Sequence, residues 1–152
     1  MHIVLVEPEI PGNTGNIARL CAATGCHLHL VRPLGFSVED KYLKRAGLDY
    51  WHLVKIKERD SYEDFLKGNP DGNFYYATTK CKNRYTDVKY KENDFIIFGP
   101  ESRGLPKEIL EANPDKCITI PMIEMGRSLN LSNSAAIILY EALRQTDFNF
   151  GE

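Results

Sequence analysis

The sequence predicts an α/β protein in which a mostly parallel sheet is covered by helices on both faces. Three observations carry this. Short β-branched and aromatic runs alternate with helix-period segments, the pattern of parallel strands joined by crossover helices. Phe95-Ile96-Ile97-Phe98 is apolar at every position, as suits a strand buried on both sides. No repeat, low-complexity stretch or linker divides the 152 residues, so 1–152 reads as one domain around one substantial core.

The first strand is His2 to Val6, ending at Glu7-Pro8. Pro11-Gly12-Asn13 signals a turn, and a helix follows from about Thr14 to Thr24. Ile17, Leu20, Cys21 and Thr24 share one of its faces, and Gly25 is placed to stop it. His27 to Val31 is a second strand, broken by Arg32-Pro33-Leu34-Gly35. A short basic helix is expected over Asp40 to Ala46, ended by Gly47, and a strand over Trp51 to Ile56. Ser61 caps another short helix, with Glu63 and Asp64 in its first turn. Asn69-Pro70-Asp71-Gly72 is a turn, Phe74 to Thr78 a strand, and Lys80 to Asn93 a polar, lysine-rich connection. After the strand ending at Phe98, Pro106 suits the first position of a helix that runs to about Ala112. Cys117 to Ile120 is one more short strand, stopped by Pro121. The last helix covers about Leu131 to Thr146, with Ala135, Ile138, Leu139, Ala142 and Leu143 as its apolar stripe.

A net charge of −2 argues against a dedicated non-specific nucleic-acid binder, so any RNA contact would rest on local patches. The start, Met1-His2-Ile3-Val4, lacks a charged segment followed by a long apolar run, and no stretch approaches membrane-spanning length. No signal peptide and no membrane association are expected. Cys21, Cys26, Cys81 and Cys117 form no CxxC pair and read as reduced thiols of a cytoplasmic protein. His27 and His29 share a strand face beside Cys26, but without a further partner they read as ordinary strand residues, and no metal is expected.

In open α/β sheets ligands sit beyond the carboxyl ends of the strands. Three loops stand there: Glu7 to Gly15, Gly99 to Gly104, and Pro121 to Asn133. Gly12-Asn13-Thr14-Gly15 is not a dinucleotide fingerprint. Gly99 and Gly104 have P-loop spacing, but Leu105-Pro106 replaces the required Lys-Ser/Thr. Neither a GxSxG elbow nor an HExxH motif is present. The loops suit a neutral or cationic ligand held by backbone groups, with Gly99 permitting close approach. The hydroxyls and amides of Ser128 to Asn133 serve either a ligand or simple capping of the helix that begins there.

The ordered set Asn13-Thr14-Gly15-Asn16-Ile17-Ala18-Arg19, Phe98-Gly99-Pro100-Glu101-Ser102-Arg103-Gly104-Leu105-Pro106, Ile120-Pro121-Met122 and Ser128-Leu129-Asn130-Leu131-Ser132-Asn133 closely resembles the three motifs of the SPOUT RNA methyltransferases. The likeness is greatest to the YibK/TrmL-like tRNA (cytidine/uridine-34)-2′-O-methyltransferases. It spans essentially the whole chain, including Glu7-Pro8-Glu9-Ile10-Pro11 and Arg45-Ala46-Gly47-Leu48-Asp49-Tyr50. The stretch Glu124-Met125-Gly126-Arg127 is variable in such proteins, so substrate details do not carry over through it, and the tail from Phe148 to Glu152 has no assigned function.

The resemblance implies a C-terminal deep trefoil knot, which general rules of chain connection would not select. It implies a homodimer, and S-adenosyl-L-methionine bent in the knot and leaving as S-adenosyl-L-homocysteine. By position the cofactor pocket would use Ala77, Thr78, Gly99, Glu101, Ile120, Met122, Ser128, Leu129 and Asn130. Glu101 would orient its loop or serve as a local cap or ion pair. Arg19 stands where the family has its catalytic arginine. It would accept a proton, position the oxygen or hold the neighbouring phosphate; a guanidinium protonated at neutral pH suits the last role well. The implied substrate is the wobble nucleotide of a tRNA, whose anticodon loop exposes its 2′-hydroxyls. For RNA contact the candidates are Lys41, Lys44 and Arg45 as one patch, and Lys80, Lys82, Arg84, Lys89 and Lys91 interleaved with Tyr85 and Tyr90 as another. Tyr140 would serve RNA or a dimer interface. Two other readings stay open. One is a ribosomal RNA ribose as acceptor, disfavoured because related groups with that target often carry an added N-terminal domain, whereas this chain starts at its first strand. The other is a non-catalytic RNA-binding protein of the same fold.

Overall fold

The computed structural model describes residues 1–41, 43, 45, 51–126 and 128–151. Its elements in chain order are β1 (His2–Val6), α1 (Pro11–Thr24), β2 (His27–Val31), β3 (Lys55–Arg59), α2 (Tyr62–Gly68), β4 (Phe74–Ala77), β5 (Phe95–Phe98), α3 (Lys107–Ala112), a 3-10 turn (Pro114–Lys116), β6 (Cys117–Ile118) and α4 (Leu131–Gln145). Six strands form one sheet in the order β3-β2-β1-β5-β4-β6, and every pairing is parallel. The α/β class expected from the alternating pattern is therefore the observed one.

Alternation along the central strands sends side chains to two cores. On one face Ile3, Leu5, Leu28, Leu30, Ile96 and Phe98 pack against Ile17, Ala18 and Cys21 of α1 and the predicted stripe of α4. On the other, Val4, Val6, Val31, Tyr76 and Ile97 meet Phe65 of α2, with Ile109 and Leu110 of α3 packed at the margin. Each fully buried aliphatic side chain contributes about 1.5–3 kcal/mol, so α1 and α4 are held by burial rather than by propensity.

Helix α1 starts at Pro11 rather than Thr14, because a proline pre-set to helical φ occupies the first position and loses no bond there. Gly25 ends it in the left-handed conformation at φ 73°. Ser61 caps α2 through the Asp64 N–H at 3.1 Å, and the 69–72 turn closes with the Gly72 N–H on the Asn69 carbonyl. Pro106 precedes α3 as its cap rather than standing inside it.

The strand expected over Trp51–Ile56 is a correction. Trp51 is helical, and the strand is Lys55–Arg59. As an edge strand paired, among the described residues, with β2 alone, it needs one apolar anchor, Ile56, and carries cations at Lys55, Lys57 and Arg59 that discourage further strand addition. Of the basic helix expected over 40–46, Lys41, Leu43 and Arg45 are helical; residues 42, 44, 46–50, 127 and 152 lie outside the described residues.

At the amino end of the sheet three histidines come together. The His2 ring lies between His27, with centroids 4.5 Å apart, and Phe95, 4.0 Å away, and its Nδ1 faces His29 Nε2 at 3.0 Å. Burial first, then the neighbouring imidazoles and nearby cations, push His2 down to about 3; burial first, then Arg59, pushes His29 down to about 4.

Candidate active site

The sheet order reverses direction around β1, whose neighbours are β2 on one side and β5 on the other. Such a switch point opens a crevice at the carboxyl ends of the strands. A cavity of about 560 Å³ lies there, lined by the ends of β4 (Ala77, Thr78), β5 (Phe98, Gly99) and β6 (Ile118, Thr119, Ile120), and by Met122 and Ser128 to Leu131. That volume is in the range of sites that enclose a cofactor-sized molecule.

One hydrogen-bond system joins the loops around it. Glu101, expected either to orient its loop or to act as a local cap, orients two loops at once. One carboxylate oxygen accepts the Glu9 N–H at 2.8 Å, and the other accepts the Ile10 N–H at 2.8 Å and the Asn13 amide at 3.3 Å. Glu9 reciprocates: its carboxylate accepts the Ser102 N–H at 2.8 Å and the Ser102 hydroxyl at 2.7 Å. These bonds, with Arg103 nearby, hold the Glu9 carboxyl below its ordinary range. The Asn130 amide donates to Asn13 Oδ1 at 3.1 Å, while its own oxygen accepts the N–H groups of Ser132 and Asn133 and so caps α4. Segments 9–13, 101–102 and 130–133, far apart in sequence, are thereby one unit.

The glycine loop is shaped by close contact. A Cβ on Gly99 would sit 2.3 Å from the Leu105 nitrogen and 2.4 Å from the Gly104 carbonyl carbon. Gly104, at φ 71°, lets the loop turn so that its N–H reaches the Pro100 carbonyl at 2.8 Å. Across the cavity, the Thr78 N–H donates to Ile118 O. The Asn83 carbonyl accepts the Thr119 N–H, and the Thr119 carbonyl accepts the Tyr85 N–H, both at 2.9 Å.

Every residue expected in the cofactor pocket lines this cavity: Ala77, Thr78, Gly99, Glu101, Ile120, Met122, Ser128, Leu129 and Asn130. Lys80 is at its edge as well. Arg19 is not brought to it and lies on the exposed side of α1. Lys41, Arg45, Lys82, Arg84 and Tyr140 are exposed and away from the lining, with Arg84 paired to Asp87 at 3.3 Å. Tyr90 corrects an expectation. It is buried in the core and its hydroxyl donates to the Tyr85 carbonyl at 2.6 Å, so its ring has no face for a base. Tyr85 is half-buried against the same core. Sequence reasoning did not single out Asn13 or Arg103 as lining residues, or Glu9 as a bonding partner; the only signal for them was their place inside the quoted motifs.

Among the described residues no helix is long and apolar enough to cross a membrane. Residues 1–140 match the SpoU rRNA Methylase family. The tRNA (cytidine(34)-2′-O)-methyltransferase of Escherichia coli (strain K12) is 46% identical over 149 residues, covering 97% of this chain and 95% of the relative. The protein of the same name from Methylovorus glucosotrophus is 52% identical, covering 96% of both. A solved structure described as giving insights into the 2-OH methylation of C/U34 on tRNA superimposes with a TM-score of 0.92 at 43% identity, covering 96% of this chain and 95% of that one. An AdoMet-bound rRNA methyltransferase from Sinorhizobium meliloti gives 0.83 at 26% identity, over 94% of this chain and 55% of that one. With a cavity at the switch point, three motifs laced around it and likeness of this extent, the chain belongs to the SpoU methylase family.

Proposed function

We propose that this protein transfers a methyl group from S-adenosyl-L-methionine to the ribose 2′-hydroxyl of the wobble nucleotide, cytidine or modified uridine 34, in a tRNA anticodon loop. The observation that carries this is the joining of the Gly99 loop and the Ser128–Asn130 stretch into one cavity by Glu101, Asn13 and Asn130. The names of the relatives support the acceptor.

The donor set fits the cofactor. The lining is apolar at Ile118, Ile120, Met122 and Leu129 and offers main chain and small polar groups at Thr78, Gly99 and Ser128, which suits a nucleoside and a sulfonium, with the charged side chains Lys80, Glu101 and Arg103 also in the lining. When bound, the cofactor supplies a methyl carbon already activated by its sulfonium, so the reaction calls for no metal. The chain's task is alignment and exclusion of water. Ile120, Met122 and Leu129 enclose the site, Gly99 brings backbone close, and Glu101 fixes the loop that carries it. Arg19 would hold the phosphate beside the reacting hydroxyl or take up its proton; its place on the outer side of α1 fits a site completed across a homodimer. The exposed Ile137 and Tyr140 of α4 supply an apolar strip for that contact, and Lys41, Arg45, Lys80, Lys82 and Arg84 a basic surface for RNA. A trefoil knot fits the hooking of Thr119 between Asn83 and Tyr85 before the chain reaches α4. Residues 1–152 would act as one domain in the cytoplasm.

The test is incubation with labelled S-adenosylmethionine and total RNA from a strain lacking the protein. Label in the ribose of nucleotide 34 is expected. Label in ribosomal RNA would move the acceptor, and RNA binding without any label would leave a non-catalytic member of the fold.

A further inference from the structure

We propose that Arg103 anchors a backbone phosphate of the RNA substrate at the mouth of the cavity, and that Glu7 serves as its stand-in anion when RNA is absent. The proposal rests on the methyltransferase reading above and adds to it the residue that grips the substrate beside the reacting ribose.

Arg103 lies on the cavity rim with its side chain 62% exposed. Its backbone is pinned on both sides. Glu101 and Ser102 before it are bonded to the 9–10 segment, and after it Gly104 turns back onto Pro100 while Leu105 is buried. Only the side chain is left to move, so the guanidinium is presented from a fixed point. Two carboxylates interact with it, and one of them, Glu9, is already occupied by the Ser102 N–H and hydroxyl. The other, Glu7, faces Arg103 at 3.7 Å, well beyond the 2.7–2.9 Å of a committed charge-assisted hydrogen bond. Glu7 also holds a left-handed backbone at φ 50°, uncommon for a residue with a side chain, at the point where β1 hands over to the cavity loop. A planar guanidinium with uncommitted donors matches a phosphodiester, which would take two parallel bonds from it. Lys80, on the loop beyond β4, supplies a second cation at the rim. The cofactor's own carboxylate is the competing anion, but the exposure of Arg103 places it toward the larger, outer ligand.

The experiment compares wild type, Arg103→Ala, Arg103→Lys and Glu7→Gln. It measures tRNA affinity between 50 and 200 mM salt, methylation kinetics, S-adenosylhomocysteine binding by calorimetry, and melting temperature. Arg103→Ala is expected to raise the KM and Kd for tRNA about tenfold and to reduce the salt slope by about one charge, with S-adenosylhomocysteine binding and melting unchanged. Arg103→Lys should recover part of the affinity, and Glu7→Gln should bind tRNA as tightly as wild type or tighter. Unchanged tRNA affinity in Arg103→Ala, or a loss confined to S-adenosylhomocysteine, overturns the proposal while leaving the methyltransferase reading in place. A wild type inert toward tRNA ends both.

Discussion

Glu101 and Glu9, separated by most of the chain, each hold the other's loop: Glu101 accepts the Glu9 N–H at 2.8 Å, and Glu9 accepts the N–H of Ser102, next to Glu101, at the same distance. Replacing Glu101 with Gln removes the charge and gives one backbone N–H an amide donor to face. A hydrogen bond to a charged group contributes about 1.5–3 kcal/mol, so a stability loss of about 2 kcal/mol is expected by urea denaturation. S-adenosylhomocysteine affinity should fall at least tenfold, because both loops frame the cavity proposed for it. Glu9→Gln should show the same pattern more weakly, since the Ser102 bonds survive with a neutral acceptor.

Gly99→Ala is the severe backbone test. The added methyl would lie within bonding-like distance of Leu105 N and the Gly104 carbonyl, so the loop must open. The cost is about 3 kcal/mol, at the upper end of overpacking changes. Calorimetry should show cofactor binding lost while far-ultraviolet dichroism stays native.

For Arg19, Ala and Lys substitutions separate chemistry from cofactor capture. Because Arg19 is outside the cavity lining, S-adenosylhomocysteine binding should match wild type. Single-turnover methylation of tRNA should drop about a hundredfold or more in Arg19→Ala, the scale of a lost proton-transfer or positioning group. Equal losses in both readouts would return Arg19 to an ordinary helix surface.

Acid should weaken the fold through the histidine cluster before carboxylates titrate. Burial holds His2 near 3 and His29 near 4, whereas both return to about 6.5 when unfolded. Between those values the unfolded chain binds more protons than the folded one, so stability falls as pH drops below about 6.5 and continues to fall toward 4. Urea midpoints at pH 7, 6 and 5 should decline, and His29→Gln should flatten that decline. An unchanged slope in the variant would assign the acid sensitivity elsewhere.

How far residues foretold structure depended on the range of the interaction. Local signals were sufficient where one turn decided the outcome: Ser61 capping α2, Gly25 ending α1, and the apolar run of β5. They misplaced β3, because Trp51, Leu53 and Val54 look more strand-like than Lys-Ile-Lys-Glu-Arg, and only the sheet reveals that this segment is an edge with one half-buried anchor. They also turned Tyr90 outward, since its lysine neighbours gave no hint that Gln145 of α4 would hold its N–H at 2.9 Å and draw the ring into the core. The cavity residues were placed by their motif context. The Glu9–Ser102 bond had no local mark at all, because its two ends lie on different loops.

The central strand has a delayed partner. β1 can pair with β2 soon after both are made, but its other edge waits for Phe95, which comes roughly ninety positions after His2. At ordinary ribosomal speeds of about 5–20 residues per second, that edge stands open for several seconds or more on every nascent chain. The growing polypeptide therefore passes through a stage in which the backbone groups along one edge of β1 lack their strand partner. Slowed translation between α1 and β5 should raise the fraction lost to inclusion bodies, and trigger-factor-like holding of the early segment should lower it.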